Sequence, residues 1–243
     1  MNARLQRGSG IALWRQIADR IRAGLDGSLA DENGRLPPEI ELAARFSVNR
    51  HTVRAAISAL VHEGVLETRQ GSGTFATRKK RLRYPISTRT RFTAGLEGQV
   101  QKRDSRLLEH GTEASPPHVA KALKIEIGSM VVRLETLGLA DGTPITRATS
   151  WFCAKRFDGI AGIFEKHHSV TAALREFGVD DYLRDSTAIE AHHATDDDMR
   201  DLRLSPGAIV FLTKAVNISP DGSPIQYSET HFAADRVELV VNR

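Results

Sequence analysis

Two arginines, Arg50 and Arg54, lie one helical turn apart in the stretch SVNRHTVRAAI (residues 47–57), which contains no acidic residue. A guanidinium group can donate two hydrogen bonds to the O6 and N7 atoms of guanine, and nearby hydroxyl and imidazole groups suit phosphate oxygens. His51 and Thr52 supply such groups, and Asn49 is a residue type that caps helices. The stretch indicates a helix that reads DNA; the alternative is a solvated basic helix face.

The sequence around this stretch predicts a winged helix-turn-helix. Apolar residues at every fourth position from Leu13 to Leu25 predict one amphipathic helix. A short second helix is expected from Pro38, a residue tolerated at a first helical position. The buried stripe of the third helix is predicted to be Val53, Ile57 and Leu60. Two short alternating runs around QGSG (residues 70–73) then predict a β-hairpin.

Composition and charge divide the chain. Residues 1–83 hold 15 lysines and arginines against 8 acidic residues, whereas residues 84–243 hold 19 against 22. A basic domain that meets a polyanion, joined to a domain with another task, is therefore expected. With one cysteine, no intrachain disulfide forms, and without a secretory pattern the cytoplasm is the expected location. No apolar run approaches the roughly 18–20 residues of a membrane span.

The second part of the chain contains an internal duplication. Residues 122–152 align with residues 201–232, and DGTPI (residues 141–145) matches DGSPI (residues 221–225). In each copy the glycine after aspartate can adopt the positive φ of a hairpin turn. Two hairpins with exposed edges are expected to pair in one antiparallel sheet, whose shared central surface is a place for a small-ligand cleft.

These patterns predict an α+β protein with three segments. Residues 1–77 are expected to form the winged helix-turn-helix, residues 78–85 a basic linker, and residues 86–243 an α/β domain with a central antiparallel sheet and an internal duplication. The linker contains a basic run from Arg78 to Arg83 that only Leu82 interrupts. It is interpreted either as a solvated connector or as a source of extra phosphate contacts.

Residues 10–77 closely resemble the winged-helix domain of GntR-type bacterial transcription factors. The resemblance implies that the operator is contacted by the RLP arginine, the recognition helix and the wing tip: Arg35, Asn49, Arg50, His51, Thr52, Arg54, Gln70 and Gly71. One departure is Pro38, since the family usually has serine before the glutamate of the second helix. This change removes a helix cap and no DNA contact.

Residues 84–241 resemble the effector domain, called UTRA, of the HutC subgroup of GntR regulators, whose fold is like that of chorismate lyase. Within that subgroup the chain is similar to regulators of phosphonate utilisation. The resemblance implies that a phosphorylated or acidic ligand is held by the segment before the first helix of the domain, a helix-opening serine and the last strand. These positions are Arg89, Thr90, Arg91, Phe92, Ser169, Tyr227, Glu229 and His231.

The chain also departs from the sugar-phosphate-sensing members of this subgroup. Those members usually carry two arginines and a glutamate where this chain has Thr136, Gly138 and Ala148. Replacement charge is expected from Arg133, Arg147 and Arg184, because guanidinium groups bind phosphate and phosphonate oxygens through paired hydrogen bonds. For any single one of these arginines, a structural or surface role is the alternative.

The favoured interpretation is a cytoplasmic repressor of phosphonate uptake or degradation genes. It is expected to bind an inverted-repeat operator as a homodimer and to be released or modulated by a small anion such as a phosphonate or phosphate. One alternative is a lyase-like enzyme that uses Glu229 and His231, and another is an architectural DNA-binding dimer. No cofactor or metal is expected, since adjacent histidines such as His192 and His193 diverge on any element.

Overall fold

The computed structural model describes residues 12–25, 29–77, 81–89 and 91–241. The chain divides into two compact units, residues 1–80 and residues 81–243, and each is described by itself. Within the described ranges, no helix has the length and apolar character that crossing a membrane requires.

The N-terminal unit is a winged helix-turn-helix, as predicted. Its elements in chain order are α1 (Leu13–Leu25), α2 (Glu39–Phe46), α3 (Arg50–His62), β1 (Leu66–Arg69) and β2 (Gly73–Ala76). The predicted apolar stripes form one core, in which Ile17, Ile21, Leu42, Val53 and Leu60 are fully buried. The two strands pair antiparallel as the wing.

The second helix begins one residue later than predicted. Pro38 has an extended backbone (ψ 149°) and stands at the N-cap, so that Glu39 is the first helical residue. Proline supplies no side-chain cap, and none is found there. The shift matters because it places Glu39 in the first turn of α2, where its carboxylate is available to the next helix.

The C-terminal unit combines eight strands with six helices among the described residues. They are β3 (Leu82–Ile86), α4 (Phe92–Gly95), β4 (Arg103–Ala114), α5 (Pro117–Leu123), β5 (Met130–Ala140), β6 (Thr143–Cys153), α6 (Ala154–Phe157), α7 (Ile160–His167), α8 (Val170–Glu176), β7 (Leu183–His193), α9 (Asp196–Asp201), β8 (Ile209–Ile218), β9 (Pro224–Ala233) and β10 (Val237–Val241).

Six of these strands form one antiparallel sheet with the order β4-β5-β6-β9-β8-β7. The two hairpins pair through β6 and β9, with Trp151 opposite Tyr227, which confirms the predicted joint sheet. The duplication is longer than predicted, because β4-α5-β5-β6 repeats as β7-α9-β8-β9. Gly142 and Gly222 have the positive φ values, 76° and 85°, that the Asp-Gly turns require.

Both faces of this sheet are covered. On one face, α6, α7 and α8 bury Phe152 and Phe164 in one cluster, and β3, β10 and α4 bury Tyr84 and Phe232 in another. On the opposite face, α5 packs against Trp151 and Tyr227, and the segment from α9 to Leu204 packs against Leu137. On the first face, the cavity described below lies between the group of α6, α7 and α8 and the group of β3, β10 and α4.

The predicted linker differs from the structure at its C-terminal end. Leu82–Ile86 form β3, which pairs in parallel with β10, and residues 78–80 lie outside the described residues. Leu82, Tyr84 and Ile86 alternate with Arg83 and Pro85, so that the apolar side chains of a basic segment reach one core cluster. Pro85 is tolerated because β3 is an edge strand of a two-stranded sheet.

Candidate DNA-binding surface and effector cavity

The recognition helix α3 is fixed at its first turn. Asn49 caps it, because Oδ1 of Asn49 accepts hydrogen bonds from both the backbone N and the Oγ1 of Thr52, each at 2.8 Å. Ser47 ends α2 in the left-handed conformation, with φ 53°. The turn between the two helices is thereby closed at both ends, and the first residues of α3 have a defined direction.

A single carboxylate binds both arginines of the recognition helix. Oε2 of Glu39 lies 2.9 Å from Nε of Arg50 and 2.8 Å from Nη2 of Arg54, while Oε1 accepts from Nε of Arg54 at 3.1 Å. The hydrogen bond from Arg54, followed by that from Arg50, lowers the pKa of Glu39. The two guanidinium groups remain exposed, so Glu39 orients them without covering them.

The wing lies beside Arg35. This residue forms an isolated antiparallel bridge with Phe75, and its Nε lies 3.0 Å from where a Cβ on Gly73 would stand. Gln70 and Gly71 are exposed at the wing tip, with Gly71 at φ 74°. The predicted operator contacts thus all lie in the N-terminal unit, and all but the partly buried Thr52 are exposed.

A cavity of about 120 Å³ lies in the C-terminal unit against the first face of the sheet. The middle of its sheet wall, on β5, β6, β8 and β9, is formed largely by small residues, most of them with hydroxyl groups: Thr136, Gly138, Thr146, Ala148, Ser150, Thr213, Ser228 and Thr230. These residues alternate with the residues of the opposite face, as strand geometry requires. This part of the wall therefore offers room and hydroxyl groups, and no charge.

Gly138 is required by close packing within this wall. A Cβ at this position would lie 2.3 Å from Oγ1 of Thr146 and 2.6 Å from the ring of Phe92. Gly138 stands where the sugar-phosphate-sensing members of the subgroup were said above to carry arginine. In this chain the ring of Phe92 occupies that space, so the positive charge that binds an anionic ligand must come from another position.

Arg91 is one cationic residue of the cavity lining. Its Nη2 donates to Oδ1 of Asp181 at 2.6 Å, its guanidinium lies 4.7 Å above the ring of Tyr182, and its buried Nε has no hydrogen-bond partner among the described residues. Arg89 also binds Asp181, with Nη1 at 2.6 and 2.5 Å from the two carboxylate oxygens. This hydrogen bond from Arg89 is the main reason that the pKa of Asp181 is lowered.

Arg184 is the second cationic residue of the lining, and no described carboxylate neutralises it. Its Nη1 makes one long hydrogen bond of 3.4 Å to Oγ1 of Thr187, and its buried Nε has no partner among the described residues. Burial lowers the pKa of Arg184 and raises that of the adjacent Tyr84 to about 12. A guanidinium held in such surroundings favours an anion that enters from solution.

A chain of neutral polar groups lines the cavity on the strand side. Nδ2 of Asn217 donates to Oε1 of Gln226 at 2.7 Å, and Nε2 of Gln226 donates to Oγ of Ser150 at 2.9 Å. All three residues are buried, and Oδ1 of Asn217 has no partner among the described residues. Buried polar atoms are usually hydrogen-bonded, so this oxygen marks a place for a ligand or water group.

The structure brings together four of the predicted effector residues. Arg91, Phe92, Ser169 and Arg184 line the cavity, and Arg89 joins them through Asp181. Ser169 caps α8, since its Oγ accepts from the backbone N of Ala172 at 3.2 Å. Thr90 lies outside the described residues.

Four other predicted residues lie on the opposite face of the sheet, away from the cavity. Tyr227 stacks on Trp151 at 5.6 Å, and Glu229 accepts a hydrogen bond from its hydroxyl. His231 binds the buried Asp198 at 2.8 Å. Arg133, which pairs across β5 and β6 with Trp151, is surrounded by Glu109, Glu113 and Glu135.

These residues lie away from the cavity because side chains alternate along a strand, so that successive residues point to opposite faces of the sheet. On β9 the cavity is lined by Gln226, Ser228, Thr230 and Phe232, which the sequence comparison did not select. The sequence did contain a signal for these residues. Phe152 and Phe232 occupy matching positions of the internal repeat, and every second residue before each of them lines the cavity: Ser150, Ala148 and Thr146 on β6, and Thr230, Ser228 and Gln226 on β9. Arg147, which was predicted to supply positive charge to the ligand, also lies on the face away from the cavity, where it binds Glu135 and Asp201.

A winged helix-turn-helix joined to an α/β domain with a polar cavity is the architecture of a bacterial transcriptional regulator. Residues 13–76 match the model described as bacterial regulatory proteins, gntR family, and residues 98–238 match that of the UTRA domain. The chain belongs to the GntR family of transcriptional regulators and carries a UTRA domain of the HutC type.

Similar proteins carry the same architecture. An uncharacterized HTH-type transcriptional regulator of Rhizobium meliloti is 46% identical over 97% of this chain and 96% of its own length. The probable transcriptional regulator PhnF of Escherichia coli is 31% identical over 85% of each chain. The crystal structure of PhnF from Mycobacterium smegmatis, 23% identical, covers 93% of this chain and 98% of its own with a TM-score of 0.61 and supports the fold.

Proposed function

We propose that the protein is a cytoplasmic, homodimeric repressor. Its affinity for its operator falls or rises when a small phosphonate, phosphate or related anion enters the cavity. The observation that carries the effector class is Arg184, a partly buried guanidinium in the lining without a carboxylate partner among the described residues. An anion there gains charge-assisted hydrogen bonds at little further desolvation cost to the protein. The similarity to PhnF regulators supports a phosphonate role.

The DNA contacts are proposed to come from Arg50 and Arg54 in the major groove and from Arg35 and the wing tip beside it. Their support is exposure, orientation by Glu39 and the capped first turn of α3. Helix-turn-helix proteins commonly bind two-fold operators as dimers, so an inverted repeat is the proposed target.

The cavity is proposed to act on DNA binding through β3. Tyr84 and Ile86 of this strand line the cavity, as do Arg91 and Phe92 just beyond it, and the chain before β3 continues directly to the DNA-binding unit. An anion that draws Arg91 and Arg184 together shifts this segment. The ligand then alters DNA binding only as far as it binds the two states unequally.

The test uses fluorescence anisotropy of the full-length protein on the DNA that it selects from a random-sequence library. At fixed salt, inorganic phosphate, methylphosphonate and glucosamine 6-phosphate are titrated in. We expect one of the small anions to change DNA affinity in the wild type and Arg184→Gln to abolish that change while leaving DNA affinity intact.

Arg175→Gln is the matched control, because Arg175 is an exposed arginine on α8 outside the cavity lining. It should respond like the wild type. If Arg184→Gln also responds like the wild type, the assignment of the effector cavity is wrong. If no anion changes DNA binding, the domain responds to another class of ligand or serves assembly alone.

A further inference from the structure

We propose that the ligand of this cavity is a small anion that also carries an uncharged hydroxyl or amide group, which binds Asn217 beside Arg184. This inference rests on the proposed function for its anionic end. The cavity of about 120 Å³ has room for a molecule of several non-hydrogen atoms, since a single water needs at least ~10–15 Å³. The ligand is therefore short, and both of its ends contact the lining.

The positive and the neutral groups of the lining meet on the sheet. Arg184 at the start of β7 lies directly opposite Asn217 of β8, which continues through Gln226 of β9 to Ser150 of β6. A ligand whose anionic end binds Arg184 therefore places the group next to that end beside Asn217.

Asn217 is the unsatisfied member of the neutral group. Its side chain is 4% exposed, and its Nδ2 is used by Gln226, which leaves Oδ1 without a partner among the described residues. An alkyl group placed there would keep this oxygen unpaired, at a cost larger than the gain from a typical hydrogen bond. If the amide chain runs in reverse, with Ser150 donating, Asn217 presents Nδ2, and a hydroxyl still pairs because it also accepts.

The charge of the lining decides between a hydroxyl and an ammonium group. The described lining residues include two guanidinium groups and no carboxylate. A doubly charged anion neutralises these guanidinium groups, so an added ammonium would be a buried charge without a counterion. A neutral donor satisfies Asn217 without that penalty.

The test is isothermal titration calorimetry of the full-length protein, without DNA, at pH 8. The probes are ethylphosphonate, 2-hydroxyethylphosphonate and 2-aminoethylphosphonate, which share the anionic end. We expect the hydroxyl compound to bind about tenfold more tightly than the ethyl compound, the effect of pairing one buried polar group. The amino compound should bind more weakly than the hydroxyl compound.

Two variants locate the preference. Asn217→Leu should retain ethylphosphonate binding and lose the tenfold advantage of the hydroxyl group. Asn217→Asp places a carboxylate of nearly the same volume opposite Arg184, so all three compounds should bind more weakly and the amino compound should lose the least affinity. Asn33→Asp, at an exposed asparagine of the N-terminal unit, controls for one added negative charge, and the thermal unfolding midpoint shows that each variant is folded.

The outcomes separate this inference from the proposed function. Equal affinities of the ethyl and hydroxyl compounds, or an advantage that survives in Asn217→Leu, overturn the inference and leave the anion site standing. Absence of binding by all three compounds overturns both.

Discussion

In each unit of the protein one carboxylate binds two arginines, and the two sites differ in whether an additional buried arginine lies nearby. In the N-terminal unit Glu39 binds Arg50 and Arg54 at 2.9 and 2.8 Å. In the C-terminal unit Asp181 binds Arg89 and Arg91 at 2.5 and 2.6 Å. The C-terminal unit adds a partly buried cation, Arg184, which lines the cavity and forms no ion pair with a described carboxylate.

The difference shows how one residue type serves two tasks. An exposed arginine beside a carboxylate is oriented at little energetic cost, and a surface that must meet long DNA needs orientation more than extra charge. A partly buried arginine without a counterion is destabilising until an anion arrives, so its contribution to binding a small ligand is large. The pairing pattern therefore distinguishes the proposed DNA-binding surface from the proposed effector site.

The largest effect is expected from Arg50→Ala. Loss of a base contact should weaken operator binding by about 1–3 kcal/mol and affect random DNA far less. Arg45→Ala, an exposed arginine of α2, is the control. Anisotropy on both DNAs measures this, and equal losses on both would mean that Arg50 contacts phosphate alone.

Asp181→Asn should strengthen anion binding. Removing the carboxylate frees Arg91 for the ligand, and the gain should match the loss of an exposed ion pair, at most about fivefold in affinity. Titration of ethylphosphonate into the variant and the wild type measures it. A weaker affinity in the variant would show instead that Asp181 positions Arg91 productively.

Glu39→Gln should have a smaller effect than the two preceding substitutions, and it should lower the preference for operator over random DNA by strengthening the binding of random DNA. With the carboxylate gone, both recognition arginines are free to bind phosphates, so affinity for random DNA should rise about twofold and its salt dependence should steepen. Operator affinity should not rise with it, because the arginines lose their orientation. Glu41→Gln on the same helix is the control, and an unchanged ratio of operator to random affinity would contradict the role given to Glu39.

The smallest effect concerns acid. Because its hydrogen bonds with Arg89 lower the folded-state pKa of Asp181 below its usual value of 3.8, its contribution to stability is present above the unfolded-state pKa and is lost as the pH falls through the lower folded value. Denaturant midpoints of the wild type and Asp181→Asn should therefore differ slightly at pH 7 and converge as the pH falls through the folded-state pKa. A difference that persists in strong acid would place the effect of the substitution in packing.

Local chemistry made much of the fold predictable from the sequence. Asn49 caps a helix through its own side chain, and the Asp-Gly pairs at residues 141–142 and 221–222 demand hairpin turns. Each of these signals lies within a few residues of the structure that it specifies. The repeat then required that the two hairpins share one sheet.

The effector site was only partly predictable because both faces of the sheet are buried. On a half-buried strand, alternation separates inside from outside, but here Tyr227 is covered by α5 and Phe232 by β3 and β10. The sequence therefore did not reveal which residues of β9 face the cavity, and an effector role for Tyr227, Glu229 and His231 on the other face stays a prediction. The ionic environment of Arg133 also depends on Glu109 of a neighbouring strand, which no local pattern reveals.

The parallel pairing of β3 with β10 has a consequence for biosynthesis. The first strand of the C-terminal unit pairs with its last, Leu82 opposite Val237 and Ile86 opposite Val241. A chain emerging from the ribosome can therefore complete the N-terminal unit early, whereas β3, which lines the cavity, lacks its partner until residues 237–241 have been made. A nascent chain, or one terminated before β10, would have a complete winged helix-turn-helix and an incomplete C-terminal unit.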